Sequence, residues 1–243
     1  DVCSSDLSWT MGGLLTMPVT GPLKIKPGEE NEPDSGYRSR INHKNEKASL
    51  SYYSVLLDDY NIKAELTSTT RTGFQGYTFP KSDSSRILFD LENGSEYPYE
   101  VRWASISKVS DYEIEGFSTQ SSYDEPTNLL NDYTVYFVAR VDKPMKSFGT
   151  WVNGYVDTTS SICWGRHDIG AFMNFDTEEG EIIQLKTAIS YVSIEQARKN
   201  LEVESGGFGW NFDAVRKYAV NEWRKILSTI EIEGGTEEDK RKF

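Results

Sequence analysis

The segment 51–80 constrains the fold more than any other part of the sequence. Apolar and polar residues alternate over 53–57 and again over 62–66, and residues 58–61 (DDYN) form a polar break between the two runs. Period-two alternation of aromatic and aliphatic side chains, interrupted by Asp and Asn, is typical of antiparallel strands joined by a short turn. The segment therefore predicts a β-hairpin, and the residues up to Pro80 predict a further strand after Gly73.

The same kind of pattern recurs along most of the chain. Predicted strands lie at 13–16 (ending at Pro18), 51–57, 61–69, 76–79, 86–91, 99–107, 112–117, 134–142 and 181–191. Turn residues separate them, notably at 92–94, 143–144 and 177–180, and residues 21–40 predict a long surface loop. Many short strands without helices between them indicate an antiparallel β-sandwich.

The period changes at Ser193. Ser193 and Gln196 form a Ser-x-x-Gln capping box, which predicts the start of a helix with Ile194, Ala197 and Leu201 on one stripe. Asn211 is the predicted N-cap of a second, amphipathic helix of about five turns. Its apolar stripe consists of Val215, Ala219, Trp223, Ile226, Leu227 and Ile230. Two helices at the end of a sandwich cannot bury such a stripe alone, so we expect the sandwich or a further domain to cover it.

Charge and hydropathy exclude some classes of protein. The formal net charge is −12, and nearly all of it lies before Ser193. An acidic β-rich body repels phosphate backbones, so we expect no nucleic-acid partner. No apolar run approaches the roughly 20 residues that a membrane-spanning helix needs.

The first seven residues fit nothing around them. The peptide DVCSSDL is the translation of the end of a common sequencing-library adapter, so we predict that residues 1–7 are an artefact; a natural flexible terminus is the alternative. Cys3 would then belong to the adapter. Cys163, beside Trp164, is predicted to be a buried, small apolar residue rather than a disulfide partner.

Spacing alone singles out no catalytic pair. Asp58 and Asp59 fall in a predicted hairpin turn, and Glu178 and Glu179 fall in another, where solvated carboxylates are ordinary. His167 is predicted to be a surface-loop residue, because no second His or Cys lies at metal-site spacing. The sequence also lacks a phosphate-binding glycine loop, a nucleophile elbow and a zinc signature.

Blocks of residues spread over nearly the whole chain resemble one known family in the same order. They are MPVTG at 17–21; His43, Glu46, Tyr52, Tyr53, Tyr60, AELT at 64–67, Arg71, Gly73 and Phe79-Pro80; YTVYF at 133–137 with Lys143-Pro144; ISYVS at 189–193 with Ala197, Arg198, Asn200 and Leu201; and Phe212-Asp213 with Trp223. Together they resemble the N-terminal domain of glycoside hydrolase family 92, the calcium-dependent, inverting exo-α-mannosidases. His43 and Glu46 are expected to form a structural pair.

The resemblance implies a galactose-mutarotase-like supersandwich at 8–192 and a helical linker at 193–243 that leads to a catalytic α/α toroid. It also implies that the general acid, the base and the ligands of Ca²⁺ belong to that catalytic domain and not to this chain. We therefore expect the isolated chain to be inactive. Family members are commonly exported, so the resemblance implies an extracytoplasmic protein that acts on mannose-containing glycans, with α-1,2 linkages as the expected substrate.

A substrate-binding role is expected for one segment. Residues 116–124 are predicted to form a loop between two strands, and in the family such loops of the N-terminal domain reach the mouth of the active site. Phe117, Gln120 and Tyr123 are the predicted sugar contacts, since aromatic faces and polar side chains bind sugars. The alternatives are a plain surface loop at this position and, for the whole chain, a stand-alone carbohydrate-binding or adhesion module.

Overall fold

The computed structural model describes residues 14–29, 31–92, 99–124, 129–231 and 233–242. These residues form two antiparallel sheets that pack face to face, followed by three helices. The predicted sandwich with a helical C-terminal region is therefore confirmed.

The smaller sheet has five strands in the described residues. In spatial order they are β1 (Leu15–Val19), β6 (Ser82–Asp90), β13 (Ile169–Thr177), β10 (Ser147–Val152) and β11 (Tyr155–Asp157). Pro18 was predicted to end the first strand, and this is wrong, because Pro18 pairs with Ile87 inside β1. The position tolerates proline because β1 is an edge strand, where one side of the backbone needs no ladder hydrogen bond.

The larger sheet has nine described strands. In spatial order they are β12 (Ile162–Gly165), β7 (Tyr99–Ser110), β8 (Glu113–Asp124), β9 (Leu129–Val141), β14 (Glu181–Ser190), β5 (Thr72–Phe79), β4 (Ile62–Ser68), β3 (Tyr52–Leu57) and β2 (Lys47–Ser49). The predicted hairpin is β3–β4, with Leu57 opposite Ile62. The turn predicted at 92–94 lies largely outside the described residues, and the turn at 177–180 is present with Gly180 at a φ of 75°.

The main core lies between the two sheets. Its fully buried side chains include Phe79, Ile87, Phe89, Ile106 and Phe137. Cys163 belongs to this core as a free thiol, as predicted, and burial raises its pKa to about 11. Such a thiol acts as a small apolar residue.

A second core covers the outer face of the smaller sheet. Val19, Leu88, Trp151 and Phe172 are buried there, together with Tyr37 from the segment 21–40. Leu23 and Ile25 of the same segment pack against them. Residues 21–40 are thus not only a surface loop, because they shield one face of the sheet from water.

The C-terminal helices are α1 (Ile194–Ser205), α2 (Phe212–Leu227) and α3 (Glu237–Lys242). The first two pack on the outer face of the larger sheet. The predicted caps are confirmed, since the Ser193 hydroxyl accepts a hydrogen bond from the Gln196 N–H at 3.1 Å and the Asn211 side chain accepts one from the Ala214 N–H at 3.0 Å. Ala197 and Leu201 are buried against Val138 of β9 and Ala188 of β14.

Candidate functional site

The helices cover only part of the larger sheet. Helix α1 lies over Val138 of β9, and the outer face of β12, of β7 and of the adjoining part of β8 and β9 stays at least partly exposed. Strand register places four aromatic residues on this face: Trp103, Phe117, Tyr136 and Trp164. We call these four residues the aromatic face. Buried neighbours such as Ala104, Gly116, Val135 and Cys163 point the other way, into the core.

Two tryptophans form its outer end. Trp103 lies on β7 and Trp164 on the edge strand β12, with ring centroids 5.4 Å apart and planes inclined by 31°. Their exposed fractions are 40% and 61%. Two adjacent exposed tryptophans form an apolar surface patch, which makes this end of the sheet a candidate binding surface.

Phe117 and Tyr136 form the inner end, at directly paired positions of β8 and β9. Their ring centroids are 5.9 Å apart. On the opposite, core-facing side, Gly116 permits close packing of β8 on β7 and on Phe137, because a Cβ there would lie 2.2 Å from the Ser105 carbonyl oxygen and 2.8 Å from the Phe137 ring. The hydroxyls of Thr119 and Thr134 share a hydrogen bond of 2.9 Å beside the rings and add polar groups to the face.

The interpretation of residues 116–124 as a loop is wrong. These residues are the second half of β8, paired residue by residue with β9 up to Asp124 opposite Leu129. Polar residues such as Ser, Thr and Gln can form a central strand when strands on both sides pair with them. Here β9 pairs with β8 as far as Asp124 and β7 as far as Ser122.

The structure does not bring the three predicted sugar contacts together. Phe117 lies partly exposed on the aromatic face. Gln120 is 1% exposed; its Oε1 accepts a hydrogen bond from the Tyr133 hydroxyl at 2.8 Å, and its Nε2 donates one to Ser118. Tyr123 lies on β8 opposite Leu130, and its side chain is outside the described residues. The sugar-binding role of these residues stays a prediction.

Sequence reasoning missed Trp103, Tyr136 and Trp164 as members of one surface. Trp103 and Tyr136 belong to predicted strands, but β12 was not predicted, so nothing placed Trp164 beside them. A signal was available in the alternation of Trp103 and Ser105 with buried Ala104 and Ile106, which puts a tryptophan on a polar face.

An ionic network borders the aromatic face where α1 meets the sheet. Arg198 of α1 binds Glu113 and Glu115 of β8, and Arg140 of β9 donates from its Nε to Glu113 at 2.7 Å. Glu113 is 6% exposed and both of its carboxylate oxygens are engaged by guanidinium groups. These carboxylates hold α1 in place and are not free to act as an acid and base pair.

Among the other acidic candidates, Asp59, Glu178 and Glu179 are also engaged. Asp59 accepts hydrogen bonds from the backbone N–H of Arg40 at 2.7 Å and from its guanidinium group. Burial raises the pKa of Asp59, but the bonds from Arg40 outweigh it and the net pKa is lowered. Lys81 donates to Glu178 at 2.8 Å and, through its backbone N–H, to Glu179 at 3.0 Å. Both pairs lie in turns, as predicted.

The two histidines take the places that the sequence indicates. The Nδ1 of His43 lies 2.7 Å from Glu46, which also accepts a hydrogen bond from the Tyr53 hydroxyl, and both bonds lower the pKa of Glu46. His167 is exposed, with its Nδ1 3.7 Å from Glu92. Within the described ranges, no group of His, Cys, Asp and Glu is placed to hold a metal ion. The helices described here are too short or too polar to cross a bilayer.

Two family models match the chain in sequence. Residues 4–190 match the glycosyl hydrolase family 92 N-terminal domain, and residues 196–243 match the glycosyl hydrolase family 92 catalytic domain. The chain belongs to glycoside hydrolase family 92. The second match covers α2 and α1 from Gln196 onward, whereas the resemblance implied a helical linker at 193–243.

Solved members of the family have the same fold. A family GH92 α-mannosidase from Bacteroides thetaiotaomicron superposes with a TM-score of 0.83 and 31% identity over 93% of this chain and 30% of its own, and it has also been solved in complex with mannoimidazole. The family 92 glycosyl hydrolase ccman5 superposes with a TM-score of 0.76 and 28% identity, covering 92% and 29% of the two chains.

A curated relative is more distant. An uncharacterized secreted glycosidase from Arthroderma benhamiae is 21% identical over 211 residues, which are 78% of this chain and 26% of that protein. This chain therefore spans between a quarter and a third of the length of these relatives.

Proposed function

We propose that this chain is the N-terminal, non-catalytic portion of a secreted, calcium-dependent, inverting exo-α-mannosidase that removes mannose from glycans, with α-1,2 linkages as its substrate. The observation that carries the proposal is the superposition on a family 92 α-mannosidase over 93% of the chain at 31% identity. The secreted relative from Arthroderma benhamiae supports an extracytoplasmic location.

The catalytic groups would come from beyond this chain. Inversion needs two carboxyl groups about 6.5 to 9.5 Å apart, one to protonate the leaving oxygen and one to activate water. The acidic clusters described above are engaged by arginine and lysine, and the described residues offer no cluster that fits Ca²⁺. No step of the reaction is therefore assigned to a residue of this chain.

The chain would contribute two surfaces instead. The exposed second half of the α2 stripe would pack on the catalytic domain of the same polypeptide. The aromatic face would form one wall of the substrate pocket, with Phe117 as its sugar contact and Tyr123 further along the same strand. Gln120 would act from inside the sandwich, by holding Tyr133 and the end of β8 in place.

A kinetic comparison tests the wall. In the protein extended to include its catalytic domain, Phe117→Ala is expected to lower kcat/KM for α-1,2-mannobiose about tenfold, since stacking of a sugar on a ring is worth about 1 kcal/mol or more. Tyr112→Ala, at an exposed turn residue of the same hairpin, is the matched control and is expected to change nothing. If wild type and Phe117→Ala have the same kcat/KM, the aromatic face does not form part of the substrate pocket.

A stand-alone carbohydrate-binding module is the second candidate, and the exposed pair Trp103 and Trp164 favours it. The genomic DNA after Phe243 discriminates between the two. An open frame that encodes a long helical, carboxylate-rich region supports the mannosidase, whereas a stop codon together with glycan binding that depends on Trp103 supports the module.

A further inference from the structure

A groove lies between the larger sheet and the start of α2, at a distance along the sheet from the aromatic face. Its volume is about 500 Å³, and Glu65, Gly76, Gln184, Trp210, Asn211 and Asp213 are among the residues that line it. We propose that this linker groove is a second glycan-binding site, which takes a single neutral sugar ring. The inference rests on the proposed function only for the choice of a mannoside as its probe.

Gly76, which has no side chain, forms the floor of the groove. Gly76 of β5 is paired with Glu65 of β4 on one side and with Gln184 of β14 on the other. A Cβ on Gly76 would meet nothing nearer than the Ile182 Cγ2 at 3.9 Å. Ordinary residues would therefore fit here without strain, and the glycine leaves a depression between two polar side chains of the same sheet face.

An anchored tryptophan forms one wall. The ammonium group of Lys186 lies 4.0 Å from the centroid of the Trp210 ring and 5.4 Å from that of Phe74. Lys186 is itself 6% exposed. A cation that is largely removed from water binds an aromatic ring firmly, so Trp210 is fixed before a ligand arrives.

The first turn of α2 is fixed as well. Phe212 meets the Tyr52 ring edge-on with centroids 6.4 Å apart, and the Arg216 guanidinium lies 3.9 Å from the centroid of the same ring. This stack of rings holds Asn211 and Asp213 at the rim of the groove. A site held by such contacts requires little ordering on binding.

The polar groups favour a neutral ligand. Glu65 accepts hydrogen bonds at its Oε1 from the Tyr52 hydroxyl at 2.6 Å and from Lys63 at 3.0 Å, and no described residue donates to its Oε2. Burial raises the pKa of Glu65, but these bonds outweigh it and lower the pKa, so an ionised acceptor faces the groove. Cationic groups of Lys63, Arg216 and Lys186 and carboxylates of Glu65 and Asp213 surround the groove, so neither sign of charge dominates. Sugar hydroxyls can donate hydrogen bonds to the Glu65 carboxylate without bringing a charge into the groove.

Size and shape agree with this ligand class. Ligand sites of about 300–1,000 Å³ that combine an aromatic wall with a few polar groups are the usual form of small-molecule sites. An aromatic ring beside carboxylate and amide oxygens is the arrangement that binds the apolar face and the hydroxyl edge of a sugar together. A metal ion does not fit, since the described residues hold no suitable cluster.

Titration calorimetry of the 243-residue chain with methyl α-D-mannopyranoside tests the proposal. Wild type is expected to bind with a Kd of about 1 mM, which corresponds to about −4 kcal/mol. Gly76→Val, which fills the floor, is expected to weaken binding at least tenfold. Gly73→Ala, in the same strand with no atom nearer than 3.8 Å to its new Cβ, is the matched control and is expected to bind as wild type does.

Circular dichroism shows whether Gly76→Val folds. If it does not fold, a second variant tests the groove instead. Glu65→Gln keeps the shape of the side chain and is expected to weaken binding about fivefold. Absence of binding at 20 mM sugar, unchanged binding in a folded Gly76→Val protein, or loss of binding in Trp103→Ala instead would overturn the proposal. In the extended protein, Gly76→Val is expected to leave hydrolysis of α-1,2-mannobiose intact, so failure here is separable from failure of the proposed function.

Discussion

Glu204 shows how one side chain can join a helix to the sheet. It lies near the end of α1 and accepts hydrogen bonds from the Thr69 hydroxyl, the Arg71 N–H at 2.9 Å and the Arg71 Nε at 2.6 Å. Burial raises the pKa of Glu204, but these bonds outweigh it, and the pKa lies below the ordinary value for a glutamate. The ionised form is therefore stabilised in the folded state.

The sign of the effect on stability follows from that shift. A carboxyl whose pKa is lowered on folding stabilises the protein above its unfolded pKa, and this stabilisation is lost as the pH falls through the folded pKa. Glu204→Gln is expected to lower the free energy of unfolding by about 2 kcal/mol at pH 7, measured by urea denaturation. The difference between wild type and Glu204→Gln should shrink below pH 4.5; a difference that is constant from pH 7 to pH 3 would contradict this account.

For Lys186, folding disfavours the charged form, whereas for Glu204 it favours it. Burial, and then the charge of Arg140, lower its pKa to about 8, while Asp142 opposes the shift. The unfolded chain therefore binds more protons than the folded one between pH 8 and about 10.4, and stability rises with pH across this window. The wild type is expected to gain stability relative to Lys186→Met between pH 8 and 10, by denaturation at each pH. If the difference in unfolding free energy stays constant over this pH range, the rings of Trp210 and Phe74 stabilise the ammonium form enough to cancel the effect of burial on the pKa.

Some residues of the site could be predicted and others could not. The pairing of His43 with Glu46 and the burial of Cys163 depend on local sequence and neighbours, so the sequence was sufficient. Gln120 shows the limit: its polar neighbours suggest a loop, yet its burial depends on Tyr133, a residue of the next strand. Exposure of a side chain is a property of strand order, which local sequence does not contain.

At the scale of elements, alternation predicts those strands that have one face in the core and one near water. The hairpin β3–β4 is such a case, with burial alternating along both strands. Strand β13 was missed because Ala171, Met173 and Phe175 enter the main core while Phe172 enters the second one. A strand buried on both faces has an unbroken apolar sequence, and periodicity cannot identify it.

The cap of α1 permits a direct test at the same scale. Ser193→Ala removes the hydrogen bond to the Gln196 N–H and is expected to lower the free energy of unfolding by about 1 kcal/mol. Ser193→Asp, which keeps an acceptor at the N-cap, is expected to retain most of the stability. If thermal unfolding shows that both variants lose the same free energy of unfolding, the Ser193 hydroxyl does not stabilise the protein by capping the helix.

At the scale of the whole molecule, α2 divides into two halves. Val215 and Ala219 are buried, whereas Trp223, Ile226 and Leu227, together with Ile230 just beyond the end of the helix, are between 50% and 65% exposed. The sequence predicts the stripe, and the structure locates the point at which the sandwich ceases to cover it. An exposed apolar row of this kind favours association.

Sedimentation measures that association. The 243-residue chain is expected to form concentration-dependent oligomers, and Ile226→Lys with Ile230→Lys is expected to restore a monomer without lowering the melting temperature. Val203→Lys changes an equally exposed valine on α1, away from the stripe, and serves as the control. A wild-type chain that stays monomeric at high concentration would contradict the assignment of this stripe to a domain interface.

The central claim is that this chain is the non-catalytic part of an exo-α-mannosidase. The most direct measurement compares the chain with the protein extended through its catalytic domain, by proton NMR of α-1,2-mannobiose hydrolysis in the presence of calcium. The account predicts that the extended protein releases mannose first as the β-anomer and that the 243-residue chain releases none. Turnover by the chain alone, or an inactive extended protein, would contradict it.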